Sequence, residues 1–170
     1  MSENKIRFEN RLGFYIINID YLEYLHNYDH EVQYNPEYKE KIKPHLGIVV
    51  VEDNQRFLIP LTSPKEKYKK IKKNVFEYHK IYNKNNELTG ILLIKKMIPI
   101  SLNLIKKITF ENGNKYHLLL SEQLIFISKE KEVVLSKINS FYNKKINNGT
   151  VYGSTNILED IKLMEKFNIN

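Results

Sequence analysis

The feature that most constrains this chain is a change of hydrophobic period near residue 110. Ahead of it, apolar residues come in strand-length runs: Leu12 to Ile19, Leu46 to Val51, Arg56 to Leu61, Val75 to Tyr82, Gly90 to Ile94 and Met97 to Ile100. Glu52-Asp53-Asn54 and Asn83 to Thr89 predict turns between them, and Pro99 places the last run at a sheet edge or strand end. One short helix, Tyr21 to Asn27 with Asp20 as its cap, interrupts the strands. From Lys115 onward, Leu118, Leu119 and Phe126, then Val133, Val134, Ile138 and Phe141, recur at helical spacing. Ser128 marks a break, Asn147-Asn148-Gly149 a stop, and Asn156 the cap of a last helix that turns Leu158, Ile161 and Phe167 inward. Strands first and helices late predict an α+β fold on a mainly antiparallel sheet. No repeat or proline-rich linker divides the chain, so residues 12–170 form one domain and 1–11 a polar N-terminal extension.

A chain of 170 residues with 42% hydrophobic content can bury a core, which excludes a disordered tail. Cysteine is absent, so disulfides, thiolate metal sites and thiol catalysis are excluded, and the composition suits the reducing cytoplasm. The first eleven residues lack the apolar centre of a signal peptide, and no apolar run approaches the roughly 20 residues that span a bilayer. A soluble cytoplasmic protein with no membrane partner is expected. The net charge of +7 points to a polyanion. Lysine number alone is a weak signal here, because 24 Lys, 22 Ile, 20 Asn and no Ala together reflect an AT-rich codon bias.

Motifs for metal or nucleotide chemistry are missing. His26 and His30 stand four apart at a helix exit without an H-E-x-x-H pattern, and there is no EF-hand, phosphate-binding glycine loop or nucleophile elbow. Neither a metal nor a cofactor is expected. The densest chemical feature is Pro60-Leu61-Thr62-Ser63-Pro64-Lys65, followed by Lys67, Lys69, Lys70, Lys72 and Lys73 with Tyr68 among them. Two hydroxyls and an ammonium at a strand end suit a phosphate, and the lysines beyond could track a nucleic-acid backbone. A plain turn followed by a solvated face is the competing reading of the same residues.

These segments occur in an order that resembles the ToxN/AbiQ endoribonucleases, the toxins of type III toxin-antitoxin systems. The resemblance rests on Phe14-Tyr15, Tyr21-Leu22, Tyr24-Leu25, Lys43 ahead of Leu46-Gly47-Ile48-Val49, and Pro60 to Lys65. It continues through Met97-Ile98-Pro99-Ile100, Gln123-Leu124, Phe126-Ile127, Gly153-Ser154-Thr155-Asn156 and Leu158-Glu159. It implies an SH3-like, MazF/Kid-type antiparallel β-barrel with added helices, mostly C-terminal. It also implies a metal-independent, sequence-preferring endoribonuclease of a phage-defence system. Such a toxin is inhibited by a repeat-containing small RNA, processes that RNA's precursor, and joins it in a closed protein–RNA assembly.

By the same resemblance, the catalytic positions are Tyr21, Lys43, Thr62, Ser63 and Lys65, and one further position falls among Tyr34, Tyr38 and Lys39. Metal-free cleavage can use the substrate's 2'-hydroxyl as nucleophile and give 2',3'-cyclic phosphate and 5'-hydroxyl ends. Lys43 and Lys65 are candidates to supply positive charge, and Thr62 and Ser63 to hydrogen-bond the nonbridging oxygens. Lys65 is favoured as acid, while Tyr21 either donates a proton or orients the phosphate. An ordinary lysine titrates near 10.4 and serves as a base only where burial or other cations lower its pKa, so the base is left open. RNA contacts are expected at Lys67, Lys69, Lys70, Lys72 and Lys73, and at Lys129, Lys131, Lys137, Lys144 and Lys145 on the late helices. The rival is a non-catalytic RNA-binding or protein-interaction module on the same barrel.

Overall fold

In a computed structural model, which describes residues 6–41, 43–50 and 54–169, strands precede helices as the change of period predicts. The strands are β1 (Arg7–Ile17), β2 (His45–Val50), β3 (Arg56–Thr62), β4 (Tyr78–Tyr82), β5 (Leu88–Leu93), β6 (Ile98–Ile100) and β7 (Ile105–Lys107). The helices are α1 (Ile19–Tyr28), α2 (Glu66–Lys69), α3 (Lys115–Lys129), α4 (Lys131–Ile146) and α5 (Ile157–Ile169). All strand pairs are antiparallel, in the order β4-β5-β3-β2-β1-β7, with β6 pairing to β3. Strand β3 is the hub. Its start pairs with β6 and its end, Leu61 and Thr62, with β5.

Alternation along the strands builds two cores. Phe14, Phe57, Ile59 and Leu61 point to one face, where α3 and α4 supply Leu120, Ile127, Val134, Ile138 and Phe141. Tyr15, Ile17 and Leu58 point to the other, under Tyr21, Leu22 and Leu25 of α1 and Met164 of α5. Helices cover both faces, which is why the strand runs read as nearly continuous apolar stretches. Two glycines permit this packing. A Cβ at Gly90 would come within 2.6 Å of Gln123 Nε2, the group that donates to Thr89 O and docks α3 on β5. Gly47, at φ +34°, lies in the register irregularity between Leu46 and Val49 where β2 bends.

Several expectations are corrected in detail. β1 starts at Arg7, inside the stretch read as an extension, because Arg7, Phe8 and Glu9 pair with Val50, Val49 and Ile48 of β2, and Glu9 also forms an ion pair with Arg56 of β3 at 2.9 Å. Helix α1 is capped by Asn18, whose side chain accepts from Tyr21 N at 3.0 Å, and not by Asp20. Leu158, expected inward, is 38% exposed and the neighbouring Ile157 takes the core position, while Leu118 and Val133 are 60% and 51% exposed beside the buried Leu120 and Val134. The expected turn at Glu52-Asp53 and residues Met1 to Lys5 lie outside the described residues. Among the described residues no helix is long and apolar enough to cross a membrane.

Candidate active site

Leu61 and Thr62 still pair with Leu92 and Ile91, but Pro64 has no N–H to continue the ladder, and the chain turns out at Ser63. Lys65 N donates to Ser63 O at 2.9 Å, and Lys65 becomes the N-cap position of α2. Thr62 is consequently buried, while Ser63 and Lys65 face solvent.

A second segment meets this strand end. Leu61 N donates to Pro44 O at 3.1 Å, and His45 lies in register with Pro60. Lys43, half-buried, therefore stands beside the end of β3. Burial, and then repulsion from the Lys65 ammonium, lower the Lys43 pKa to about 8. At that value roughly one Lys43 in ten is a neutral amine at pH 7, against about four in ten thousand for an ordinary lysine.

His45, a residue not picked out from the sequence, holds this arrangement from below. It is fully buried, and its Nδ1 lies 3.2 Å from Lys43 O, a contact that requires the proton on Nδ1. Burial, and then the charge of Lys43, depress its pKa to about 3, so it is neutral and positions the Lys43 backbone without competing for protons. The available signal was a histidine inside a strand otherwise made of Leu, Gly, Ile and Val.

A cavity of about 250 Å3 opens next to Lys43, lined by Tyr38, Lys39, Ile17, Ile19 and Leu22. Of the three residues left open at one position, Tyr38 and Lys39 thus line the cavity beside Lys43. Tyr34 instead packs on His26 and Tyr38, with ring centroids 5.6 and 6.4 Å away. Burial raises the Tyr38 pKa above its ordinary value, so its hydroxyl stays protonated.

Tyr21 is not brought to this surface. It is fully buried, its hydroxyl donates to Pro99 O, and its ring lies 5.3 Å from that of Phe167. Burial, then the neighbouring Asp160, push its hydroxyl pKa far above the ordinary tyrosine value. Its place in this conformation is to tie α1 to β6 and α5.

The expected cations divide. Lys67, Lys69, Lys70, Lys72 and Lys73 are exposed, with Lys69 2.5 Å from Glu66, and so are Lys129, Lys131 and Lys144. Lys145 is half-buried and donates to Ser154 Oγ at 3.1 Å. Lys137 is the correction: it lies buried on the inner side of α4 and donates to Lys73 O at 2.8 Å and Tyr78 O at 2.9 Å. Its stem packs in the core and its charge is spent on two carbonyls, which removes it from the accessible set. Among the described residues no three His, Asp or Glu side chains converge so as to hold a metal ion.

Comparison with known proteins agrees with the fold. Residues 13–168 match the family described as Toxin ToxN, type III toxin-antitoxin system. Endoribonuclease ToxN of Pectobacterium atrosepticum is 30% identical over 152 residues, which cover 85% of this chain and 87% of that protein. The solved structure of AbiQ, a lactococcal anti-phage endoribonuclease belonging to the type-III toxin-antitoxin system, superposes with a TM-score of 0.84 at 22% identity, over 95% of this chain and 100% of that one. A structure from a bacterial antiviral system regulated by a processed non-coding RNA gives a TM-score of 0.83 at 27% identity, over 91% and 98% of the two chains. The family match runs from within β1 to the end of α5 and takes in both segments that meet at Lys43 and Lys65. On that breadth of agreement, the chain belongs to the ToxN toxin family of type III toxin-antitoxin systems.

Proposed function

We propose that this chain is an endoribonuclease that cuts RNA without a metal at the corner where β3 ends, and that a repeat-derived small RNA holds it inactive. The observation that carries the reading is the pairing of a perturbed Lys43 with Lys65 and the Thr62-Ser63 hydroxyls at one strand end. Neutral Lys43 takes the proton of the substrate 2'-hydroxyl as the 2'-oxygen bonds to phosphorus. Thr62 and Ser63 donate to the nonbridging oxygens of the phosphorane, and Lys65 offsets its charge. Lys65 then gives a proton to the departing 5'-oxygen as the P–O5' bond breaks. The products are a 2',3'-cyclic phosphate and a 5'-hydroxyl, and exchange with water resets both lysines. Tyr21 acts as a positioning residue for α1, and Tyr38 lines the cavity beside Lys43.

The finer architecture belongs to the same proposal. An SH3-like, MazF/Kid-type barrel is supported by the hub position of β3 and by the register shifts in β1 and β2, which bend those strands. The exposed lysines of the 67–73 segment and of α3 and α4 contact RNA phosphates, and the protein and its small RNA form a closed assembly in the cytoplasm. That a related antiviral system is regulated by a processed non-coding RNA supports an RNA partner, and trimming of its precursor by this chain is part of the proposal.

Expression in bacteria with and without the repeat RNA tests this reading. Growth arrest without the RNA and recovery with it are expected; normal growth with abundant folded protein would overturn it.

A further inference from the structure

We infer that a furrow between the β4–β5 turn and α3 is a stacking subsite for an unpaired base of single-stranded RNA. The inference rests on the RNA-cleavage reading but concerns residues outside the β3 corner. Two clefts share Tyr82, Asn83 and Phe126 and so form one continuous depression. One of about 500 Å3 continues past Asn85, Ile125 and Lys129, and the other, of about 330 Å3, past Lys73, Lys80 and Asn86. Both fall in the size range of small-ligand pockets, about 300 to 1,000 Å3.

The furrow offers what a single strand needs. The half-exposed rings of Tyr82 and Phe126 lie 6.1 Å apart at 63°, and Ile125, 58% exposed, extends the apolar floor. The amides of Asn85 and Asn86 are exposed, whereas Asn83 is committed to its own turn through Asn85 N and Glu87 N at 2.9 Å. Lysines 73, 80, 84 and 129 border the depression. The bordering acids are Glu122 and Glu130, and Glu130 is turned onto His79, with 2.6 Å between Oε2 and Nε2. Aromatic faces ringed by ammonium groups are the usual chemistry for holding single-stranded RNA, because every base has a face to stack and every linkage a charge to meet.

Continuity with the β3 corner selects RNA as the occupant. Lys65 starts α2, and α2 ends at Lys69, whose carbonyl accepts from Lys80 Nζ at 3.0 Å. Lys73 closes the same lysine segment with its Nζ 4.7 Å from the centre of the Tyr82 ring. A strand leaving the scissile phosphate along this segment is led directly onto Tyr82. The furrow then sets which RNAs are held in register for cleavage, by stacking a base several nucleotides from the cut.

The test uses the Ser63→Ala protein, so that RNA is bound without being cut, and single-stranded RNA oligomers carrying 2-aminopurine or 4-thiouridine at successive positions. One position should show quenched 2-aminopurine fluorescence, and 4-thiouridine there should crosslink to Tyr82 or Phe126. Adding Tyr82→Ala should weaken binding roughly five- to a hundredfold and abolish the quenching, while Tyr82→Phe should retain both. Unchanged affinity and quenching in a folded Tyr82→Ala protein would overturn the inference with RNA binding intact. Should that variant not fold, crosslinks found only outside the furrow would overturn it equally. Failure of the Ser63→Ala protein to bind any RNA would instead overturn the RNA reading, and this inference with it.

Discussion

Replacing Lys65 with methionine removes a positive charge and keeps a stem of similar length, and two separable effects on cleavage are expected. With Lys43 as base at about 8, the wild-type rate should rise tenfold per pH unit up to that point and then level off. At pH 7 the enzyme then works at about a tenth of its plateau. Loss of the ammonium should lower the plateau by roughly a hundred- to a thousandfold, the usual effect of removing one preorganised group from a transition state. It should also move the midpoint above 8, because Lys65 repulsion is the second cause of the lowered Lys43 pKa. Burial, the first cause, remains, so the midpoint should stay below the ordinary lysine value near 10.4. Each pH unit the midpoint climbs removes a further tenfold in rate at pH 7. The assay is single-turnover cleavage of one short RNA from about pH 6 to 10, comparing wild type with K65M. A rate that does not rise between about pH 6 and 8 would refute the assignment of Lys43 as base, and a K65M midpoint equal to the wild type's would refute the coupling of the two lysines.

Asp160 is fully buried, and burial, then a side-chain hydrogen bond with the Asp29 carboxylate, raise its pKa to about 9. Its folded pKa exceeds the unfolded value near 3.9, so the stability it contributes is complete below that value and is lost as pH rises through about 9, at about 1.4 kcal/mol per pH unit. Thermal melts should show this fall between about pH 5 and 8, and Asp160→Asn should flatten it; equal slopes in the two proteins would count against the buried neutral acid. Lys137→Met strips donors from Lys73 O and Tyr78 O and should destabilise by about 1–3 kcal/mol in urea unfolding. A loss of RNA affinity without loss of stability would instead return Lys137 to the RNA-contacting set. Reversing the charge of Lys67, Lys70 and Lys72 together should weaken RNA binding and lessen its dependence on salt, measured by titration at several ionic strengths, and an unaltered salt slope would place the RNA elsewhere.

Much of the site was legible because local chemistry produces it. The apolar run Phe57 to Leu61 reads as a strand, and the turn-forming Ser63-Pro64 directly after it puts the two hydroxyls and Lys65 at its end. The switch of period separated the sheet from the late helices for the same reason. What stayed hidden depends on contacts between distant segments. Strand β7, Ile105–Lys107, exposes both lysines and has no alternation, so only its pairing with Tyr15 to Ile17 makes it a strand. The four-residue helix α2 carries no hydrophobic period of its own. Tyr21 looked like a site residue, but only the packing of α5 and β6 shows that its hydroxyl is enclosed. Lys43 could be named a candidate cation, yet the lowered pKa on which its proposed role as base rests comes from burial and from Lys65, neither of which is written around position 43.

The most direct test of metal-free cleavage at the end of β3 is to follow product ends in EDTA for wild type, Ser63→Ala and Lys65→Ala on one RNA. Wild type should cut with EDTA present and leave 2',3'-cyclic phosphate and 5'-hydroxyl ends. Each variant should fold, retain most RNA affinity and lose roughly a hundred- to a thousandfold in rate, since the missing group stabilises charge that grows only in the transition state. Cleavage by the wild type that stops in EDTA, ends bearing a 5'-phosphate, or wild-type rates in either variant would contradict the assignment.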